Sequence, residues 1–457
     1  MSQLASIVLA AGQGKRMKSS VPKPLHALCG QSMLGHALAA LRPLGPQPQV
    51  VIIGVGADLV RESVTDDDVV WAVQEEQHGT GHAAACAREA LAGRTGDVLV
   101  TCGDIPLART ETWERVLAEH RAQEADATLV TALFADPTGY GRVLRDEQGL
   151  VQRIVEEADC DEATRAIPEG NVSLYCFKLP LLFEALDQLQ PTNVQGEYYL
   201  TDVVEVLVSA GRKVIAVVAD AEEVMGINDR AQLARATAIM RARINRQVML
   251  EGATLIDPER TYIDAGVTVG RDTVIHPGAV LTGATTVGEG CVIGDNVLLE
   301  DSRVGDGSIV RHGSAVRESV VGRHCQIGPL AHLRDHSRVG DGSRVGGGEV
   351  VRSTLGANVN DLHFSYLGDA TVGDGVNIGA GVITCNYDGR EKHPTVIEAG
   401  AFVGSDAVLI APVRLGAGSY VAAGSVVTHD VPAEAMAIAR ARQENKEEWA
   451  KRLPRKS

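Results

Sequence analysis

Aromatic residues are scarce in this sequence, since Phe, Trp and Tyr together make up only 4% of its 457 residues. Cores built on large rings are therefore not expected, and the 49 glycines point instead to a repetitive architecture with many turns. Basic residues are also fewer than acidic ones, with 43 Lys and Arg against 59 Asp and Glu. The formal net charge of -16 argues against a nucleic-acid-binding surface, which needs clustered Lys and Arg. Small anionic substrates stay compatible with this charge, because they need only a few local cations and backbone N–H groups.

Two further absences bear on the cellular compartment. The eight cysteines are scattered and form no C-x-x-C pair, so neither a disulfide framework nor a zinc site is predicted, and a reducing, cytoplasmic location is expected. No apolar run reaches the ~18 residues of a membrane-spanning helix, so no membrane partner is expected. The N-terminal run LASIVLAA is short and follows no basic segment, which predicts a buried strand rather than a signal peptide.

The chain is long enough for two or three domains, and its sequence pattern changes along its length. Up to residue 227, β-rich runs such as QVVIIGVG alternate with amphipathic stretches, which predicts an α/β, Rossmann-like domain on a mostly parallel sheet. Residues 228–252 begin with a long stretch without Gly or Pro and are predicted to form a helical linker.

A period of six residues governs the chain from 253 to 432. Units such as VGRDTV (269–274), VGDGSI (304–309) and IGAGVI (378–383) each begin with an apolar residue followed by Gly. In a hexapeptide repeat the apolar residue points inward and Gly relieves the turn, so this segment is predicted to be a parallel β-helix. The last stretch, 433–457, is predicted to be a short helix with a basic, disordered end.

The stretch LAAGQGKRM, residues 9–17, closes the first predicted strand and looks like a phosphate loop. It lacks the third glycine of a dinucleotide fingerprint and the Gly-Lys-Ser/Thr ending of a P-loop, which argues against both of those sites. Arg16 and Met17 are the last two residues of this stretch. Lys23 lies between the two prolines of VPKPLH, which restrict the backbone around it. Backbone N–H groups, an Arg and a Lys suit an in-line displacement at phosphorus, which depends on positioning and charge neutralisation.

The pairing of LAAGxGxRM with xPKxL resembles the nucleoside-diphosphate-sugar pyrophosphorylases. The resemblance implies that the loop backbone and Arg16 hold the triphosphate of UTP and that Lys23 contacts phosphate at the reacting centre. It also implies that Asp104 of TCGDIPL and Asn228 of GIND bind Mg²⁺, a cation that takes oxygen ligands from protein, phosphate and water.

Three later motifs extend the same resemblance. QEEQHGTGHA is implied to read the uracil ring, whose imide N–H and carbonyls suit an amide side chain and backbone groups. PTGYGR, IVEEAD and EGNVSLYCF are implied to bind the sugar, with QGEYYLTD on the same side. The residues implied to bind UTP or the UDP-sugar are Leu9, Ala10, Ala11, Gly12, Gly14, Lys23, Gln74, Gly79, Thr80, Gly141, Glu156, Asn171 and Asn228.

The text YLGDATVGDGVNIGAGVITCNYDG, residues 366–389, closely resembles the acetyltransferase half of the bifunctional N-acetylglucosamine-1-phosphate uridyltransferase / glucosamine-1-phosphate acetyltransferase (GlmU) family. The match covers nearly the whole chain and implies left-handed coils, a homotrimer and acetyl-CoA as a cosubstrate. It implies that His363 is the catalytic base, oriented by Glu349. The residues implied to bind the acetyl acceptor are Arg334, Arg352, Tyr366, Asn377 and Lys392. Those implied to line the acetyl-CoA groove between subunits are Ala380, Asn386, Tyr387, Ser405, Ala423 and Arg440.

The segment GGGEVVRSTLGANVNDLH, residues 346–363, departs from the family pattern. Val351 stands where a Lys is expected to hold the sugar phosphate, and Arg334 and Arg352 are the cations that could replace it, although Arg and Lys differ in geometry. This departure is expected to change the affinity for the acetyl acceptor more than the chemistry of acetyl transfer.

The sequence therefore predicts a cytoplasmic, homotrimeric, bifunctional enzyme that needs Mg²⁺. Its C-terminal half acetylates glucosamine 1-phosphate from acetyl-CoA, and its N-terminal half joins N-acetylglucosamine 1-phosphate to UTP with release of pyrophosphate. Two alternatives stay open at this point. One is a uridylyl- or thymidylyltransferase for another sugar 1-phosphate, and the other treats the β-helix as a structural or regulatory module without catalysis.

Overall fold

The computed structural model describes residues 3–12, 14–64 and 69–454. The chain divides into two compact units, Met1–Met240 and Arg241–Ser457. No helix within the described ranges combines the length and the apolar character that crossing a membrane requires.

A nine-stranded sheet forms the centre of the first unit, and a short two-stranded hairpin stands apart from it. The strands are β1 Leu4–Leu9, β2 Ala27–Leu28, β3 Gln31–Ser32, β4 Gln49–Ile53, β5 Val69–Val73, β6 Asp97–Cys102, β7 Ala127–Leu133, β8 Gly141–Arg145, β9 Val151–Val155, β10 Glu169–Lys178 and β11 Val214–Val218. The α-helices are α1 Met33–Leu41, α2 Ala57–Ser63, α3 Thr80–Ala85, α4 Thr110–Ala122, α5 Glu162–Arg165, α6 Leu179–Leu186, α7 Asp202–Ser209 and α8 Arg230–Leu250. Short 3₁₀ turns in this unit are Lys15–Met17, Lys23–Leu25, Arg42–Leu44 and Glu157–Asp159.

The main path of the sheet runs β11-β7-β10-β6-β1-β4-β5. Strands β6, β1, β4 and β5 are parallel, as are β7 and β11, but β10 runs antiparallel to both of its neighbours. The hairpin of β8 and β9 is attached to β10. The predicted α/β class is confirmed, and the antiparallel strand is a detail that hydrophobic runs do not reveal, because strand direction leaves no periodic signal.

Helices cover both faces of this sheet. Ile7 of β1 packs in one buried cluster with residues of α6 and α7, whereas the next residue, Val8, belongs to a second cluster with residues of α1 and α4. Successive side chains of a strand point to opposite faces, so a strand buried on both faces reads as the uninterrupted apolar run seen in SIVLAA. Because the helices cover the faces of the sheet, the loops that follow the parallel strands lie at its edge, where a site can form.

The second unit is a parallel β-helix in which each full coil adds one strand to each of three sheets. The first sheet contains Thr254–Leu255, Val274–Ile275, Val292–Ile293, Ile309–Val310, Gln326–Ile327, Arg344–Val345, Asn360–Asp361, Asn377–Ile378, Phe402–Val403, Tyr420–Val421 and Met436–Ala437. The second contains Tyr262–Ile263, Val280–Thr282, Leu298–Glu300, Ala315–Arg317, His332–Arg334, Glu349–Val351, Tyr366–Gly368, Ile383–Cys385, Val408–Ile410 and Val426–Val427. The third contains Thr268–Val269, Thr286–Val287, Arg303–Val304, Val320–Val321, Arg338–Val339, Thr354–Leu355, Ala370–Val372, Thr395–Ile397 and Val413–Leu415.

The hexapeptide pattern explains this core. Residues such as Ile293 of the first sheet and Leu299 of the second are 0% exposed and belong to one continuous apolar cluster along the β-helix. Buried hydroxyl groups satisfy backbone groups between coils: Ser308 Oγ donates to Gly322 O at 2.8 Å and accepts from Cys325 N at 2.9 Å. Such pairs let a coil bury polar corner residues with its apolar side chains, although among the described residues the hydroxyls of Thr395 and Ser419 are buried without a partner.

The tail differs from the helix expected from residue 433. Met436–Ala437 pairs in parallel with Tyr420–Val421, and Ala435 and Ala437 pack on the β-helix core, so the repeat continues to Ala437. A 3₁₀ turn, Trp449–Arg452, follows. The small alternating residues of AEAMAIA fit the last coil, where tertiary packing overrides the helix propensity of Ala.

Candidate active sites

The loop after β1 has two glycines with different constraints. Gly14 has φ +60°, and a Cβ there would lie 2.5 Å from the Cβ of Lys23. A Cβ on Gly12 would meet nothing within 4 Å. The protein's own packing therefore requires glycine at position 14, whereas the space beside Gly12 is open to a ligand. Arg16 is exposed next to this loop, and Gln13 of the motif lies outside the described residues.

Three loops converge at the carboxyl end of the sheet. The Nζ atom of Lys23 forms a close ion pair with Asp104 Oδ2 and donates to Asn228 Oδ1 at 2.7 Å. The backbone adds a link, since Ile227 N donates to Asp104 O at 2.9 Å. The structure thus brings together Lys23, Asp104 and Asn228 although they are far apart in sequence, as is usual at this edge of a parallel sheet.

The same cluster bears on the predicted Mg²⁺ site. The oxygens of Asp104 and Asn228 point at one cation, the ammonium of Lys23. One carboxylate and one amide oxygen fit Mg²⁺ held mainly by phosphate oxygens and water. No group of three His, Cys, Asp or Glu side chains that could hold a metal occurs in the described chain, so substrate oxygens would have to complete the shell.

A cleft with a cavity volume of about 290 Å³ lies over this cluster. Its lining includes nine residues predicted from the sequence, namely Leu9, Ala10, Ala11, Gly12, Lys23, Gln74, Gly79, Thr80 and Asp104. Pro24, Gln77, Ala83, Cys102 and Glu197 also line it. Most of the predicted nucleotide-binding residues therefore share one pocket.

Gln77 is a lining residue that the motif analysis did not single out. Its Nε2 atom donates to Ala11 O at 2.7 Å and so attaches the segment after β5 to the phosphate loop. It belongs to QEEQHGTGHA, the motif that supplied Gln74, but a backbone partner 66 residues away leaves no trace in the sequence.

The motif around Gly79 packs closely on the segment that follows α6. Gly79 has φ +106°, and a Cβ there would lie 2.5 Å from Tyr198 O. Gly81 N donates to Tyr198 O at 2.7 Å, and Leu200 N donates to Thr80 Oγ1 at 3.0 Å. Gln74, which is buried, donates through Nε2 to Gly79 O at 3.0 Å. Glycine is needed here both for the backbone conformation and for the close approach of a second chain segment.

Two residues predicted to bind the sugar, Glu156 directly after β9 and Asn171 on β10, do not line this cleft. Glu156 accepts a hydrogen bond from Thr201 Oγ1 at 2.9 Å, and a Cβ on Gly141 would lie 3.4 Å from Glu156 Oε2. Burial raises the pKa of Glu156, against the Thr201 hydrogen bond that lowers it.

Asn171 has an unused acceptor. Its Nδ2 atom donates to Tyr175 Oη at 2.7 Å, while its Oδ1 atom is buried without a hydrogen-bond partner among the described residues. Buried polar atoms are rarely left unpaired, so this oxygen is suited to a hydroxyl or amide donor from a ligand.

One corner of the β-helix, between the first and second sheets, carries four residues of the second predicted site. His363, Ala380, Ser405 and Ala423 each follow a strand of the first sheet. Successive coils are joined there by Gly381 N to Phe364 O at 2.7 Å, Asp406 N to Ala380 O at 2.7 Å and Gly424 N to Ser405 O at 2.8 Å. Arg440 Nη1 donates to Ala423 O at 2.8 Å. Ala380, Ser405 and Ala423, with Arg440 bonded to Ala423, therefore form a column on the coils that follow His363, which is exposed. The predicted residues Asn386 and Tyr387 instead follow a strand of the second sheet.

The predicted contact between His363 and Glu349 is not formed. Glu349 Oε1 accepts from Arg334 Nε at 2.8 Å and lies 3.5 Å from His332 Nδ1. Within the described ranges the ring of His363 has no hydrogen-bond partner. Glu349 and Tyr366 are register neighbours on the second sheet, and the role of Glu349 in orienting the base stays a prediction.

The two candidate arginines are tied to carboxylates. Arg334 and Arg352 both contact Asp335, at 2.8 and 2.9 Å, and Arg352 holds Asp369 through two contacts of 2.7 and 3.2 Å. Asn386 Nδ2 donates to the same Asp369. The guanidinium groups are therefore positioned, and a phosphate would have to share them with these carboxylates.

Four further predicted residues of this site, namely Tyr366, Asn377, Tyr387 and Lys392, lie on the outer surface, whereas Asn386 is buried. Val351 is 0% exposed and supplies no cation. Asn377 and Tyr366 lie on outer positions of the first and second sheets, next to the corner that carries His363. Tyr387 and Lys392 pair across the polar loop after Cys385, and both are exposed.

Three family models match the chain. Residues 6–167 match the MobA-like NTP transferase domain, residues 260–372 match the GMPPB C-terminal domain, and residues 394–429 match the bacterial transferase hexapeptide, six repeats. These matches agree with the α/β nucleotidyltransferase domain and with a left-handed parallel β-helix of hexapeptide repeats.

Curated relatives match over the full length. The chain is 46% identical over 460 residues to the "Bifunctional protein GlmU" of Pelobacter propionicus, with 100% of both chains covered. It is 47% identical over 451 residues to the protein of the same name from Halalkalibacterium halodurans, covering 98% of this chain and 99% of that one. It is 49% identical over 449 residues to the one from an Exiguobacterium species, again covering 98% and 99%.

Proposed function

We propose, because this chain belongs to the GlmU family of bifunctional proteins, that it makes UDP-N-acetylglucosamine by two reactions, one in each unit. The β-helix unit transfers the acetyl group of acetyl-CoA to the amine of glucosamine 1-phosphate. The first unit then joins N-acetylglucosamine 1-phosphate to UTP and releases pyrophosphate. The convergence of Lys23, Asp104 and Asn228 over one cleft is the single observation that supports this assignment most strongly.

In the uridylyl transfer, a phosphate oxygen of the sugar phosphate forms a bond to the α-phosphorus of UTP, and the bond from that phosphorus to the β-phosphate breaks. Lys23 would neutralise phosphate charge, and the open space beside Gly12 would let the triphosphate approach the backbone closely, which is supported by the contacts of Lys23 and the absence of neighbours at Gly12. Asp104 and Asn228 would hold Mg²⁺, which neutralises charge on phosphate oxygens when bound. Glu156 and Asn171 would accept hydrogen bonds from the sugar, and Gln74, Gly79 and Thr80 would face the uracil.

In the acetyl transfer, the sugar nitrogen forms a bond to the thioester carbon, and the carbon–sulfur bond breaks to release the thiol of CoA. His363 takes the proton from the amine, and its exposure at the corner leaves the ring open to substrate. Acetyl-CoA would lie along the column of Ala380, Ser405 and Ala423. Tyr366, Asn377, Lys392 and the two arginines would hold the sugar phosphate.

We further propose a homotrimer in the cytoplasm. The column of Ala380, Ser405 and Ala423 lies at one corner of the β-helix, so a single chain would cover the donor on one side only. A neighbouring copy would supply the other wall of the groove.

Thiol release from acetyl-CoA with glucosamine 1-phosphate tests the second activity. His363→Ala is expected to lower kcat by ~10²- to 10⁴-fold, the range for a general base. His324→Ala, an exposed histidine at another corner, is the matched control and should keep the wild-type rate. Equal rates for the wild type and His363→Ala would contradict the assignment of the base, and a wild type that releases no thiol would contradict the acetyltransferase.

Turnover of UTP with a panel of sugar 1-phosphates tests the first activity. We expect N-acetylglucosamine 1-phosphate to give the highest kcat/KM and the activity to be lost on removal of Mg²⁺. A preference for glucose 1-phosphate would instead support the alternative nucleotidyltransferase.

A further inference from the structure

One inward-facing position of the β-helix breaks the apolar pattern. In the first sheet the second residue of each strand points into the core, and it is Leu, Ile, Val or Ala in every strand but Asn360–Asp361. Asp361 stands there between Val345 and Ile378 of the adjacent coils and is 0% exposed. A carboxyl group in an apolar column is costly to bury, so its presence calls for an explanation.

The side chain of Asp361 closes the loop that carries His363. Ser365 Oγ donates to Asp361 Oδ2 at 2.7 Å, across the base of the exposed loop 362–364. The other oxygen, Oδ1, is buried and has no hydrogen-bond partner in the part of the chain that the structure describes. The tie between Asp361 and Ser365 therefore joins the two ends of this loop.

The backbone anchors the same two ends on the preceding coil. Gly346 N donates to Asp361 O at 2.6 Å, and Glu349 N donates to Ser365 O at 2.9 Å. A Cβ on Gly346 would lie 2.0 Å from Leu362 O. The glycine lets the loop pack directly on the coil before it, so the side-chain tie acts on a loop whose ends are already in place.

We propose that Asp361 is a positioning residue for acetyl transfer, acting through Ser365 to hold the His363 loop in one conformation. The inference rests on the proposed role of His363 and adds a residue that lies in the core, out of reach of either substrate. A displacement of ~1 Å at a reacting group can cost much of the rate, so a loop restraint of this kind affects kcat more than KM.

The surroundings of the carboxyl group decide how it responds to pH. Its inward neighbours in the same coil, Leu355 and Leu367, are buried and apolar, as are Val345 and Ile378 above and below. The ionisable side chains on the packed elements point outward: Arg344 on the strand before, Glu349 and Tyr366 on the second sheet, and His363 on the loop.

Burial raises the pKa of Asp361 to about 7, against the opposing effect of the Ser365 hydrogen bond. In the unfolded chain the ordinary pKa is about 3.9. Because the folded pKa is the higher one, the contribution of Asp361 to stability is complete below pH ~4 and is lost as the pH rises to about 7. Ionisation above this pH places a charge among apolar side chains at the base of the loop. The Ser365 hydrogen bond favours the charged form but offsets only part of this cost, so we expect the packing beneath the loop to weaken and kcat to fall on the alkaline side.

Three variants of the full chain test the proposal. Asp361→Val completes the aliphatic column and removes the tie, so we expect acetyl-transfer kcat to fall roughly tenfold or more, with both KM values within about twofold of the wild type. Ser365→Ala should lower kcat similarly. Asp361→Asn keeps an acceptor for Ser365 and cannot ionise, so it should retain the neutral-pH rate and lose the alkaline fall.

Uridylyl transfer by the same preparations and thermal unfolding of each variant show that the chains are folded. A wild-type kcat and pH profile in Asp361→Val would overturn the positioning role, and an unchanged alkaline fall in Asp361→Asn would overturn its pH dependence. An inactive wild type would instead remove the acetyltransferase itself, and with it this role.

Discussion

The two units assemble their candidate sites in opposite ways. In the first, Lys23, Asp104 and Asn228 meet at one point although the first and last are 205 residues apart. In the second, Ala380, Ser405 and Ala423 follow one another at one corner, coil by coil, through backbone hydrogen bonds. A sheet gathers distant loops at its edge, whereas a repeat places its residues by period, so one substitution should disturb several partners in the first unit and few in the second.

The largest expected effect is at the convergence point. Asp104→Ala removes the carboxylate that pairs with Lys23 and is proposed to hold Mg²⁺, so kcat for uridylyl transfer should fall by ~10²- to 10³-fold, as for loss of one electrostatic group at a reacting centre. Acetyl transfer by the same variant, measured as thiol release, should stay at the wild-type rate. A parallel fall of both activities would break the comparison, because it would mean that the two sites depend on each other.

A second, smaller effect concerns Gly79. Gly79→Ala adds a Cβ that would lie 2.5 Å from Tyr198 O, on a backbone with φ +106°. We expect a loss of about 1–3 kcal/mol in the free energy of unfolding and a higher KM for UTP. Gly196→Ala is the matched control, since Gly196 also has positive φ, +66°, but a Cβ there meets nothing within 4 Å. Equal effects of the two changes would show that backbone strain alone, and not the packing of the segment around Tyr198, matters.

The smallest expected effect is in the β-helix. Arg352→Lys replaces a planar fork that contacts Asp369 twice by a single ammonium, so KM for glucosamine 1-phosphate should rise by roughly two- to fivefold with kcat unchanged. Arg338→Lys, on the exposed side of the third sheet, is the control. A KM that stays at the wild-type value would show that the fork, although well positioned, does not hold the sugar phosphate.

Features with a local signal in the sequence were predicted better than contacts between residues far apart in the chain. The six-residue period predicted the β-helix because the inward residue recurs within a short stretch of sequence. The predicted end of the β-helix at residue 432 was too early, because AEAMAIA has helix propensity but also has small residues that fit a last coil. Eight of the predicted nucleotide-binding residues and the predicted metal ligand Asp104 line one cleft, but Gln77 was missed because its partner, Ala11, is distant in sequence.

The sequence by itself determined the two architectures and the chemistry of the candidate groups, because hydrophobic period and residue type are local properties. Only the tertiary structure decided which groups meet. It placed Lys23 between Asp104 and Asn228, paired Glu349 with Arg334 and not with His363, and buried Asp361 in the apolar column at the base of the His363 loop. Such pairings depend on packing between residues far apart along the chain, or on which way one side chain points in a coil, and neither leaves a signal in the order of the amino acids.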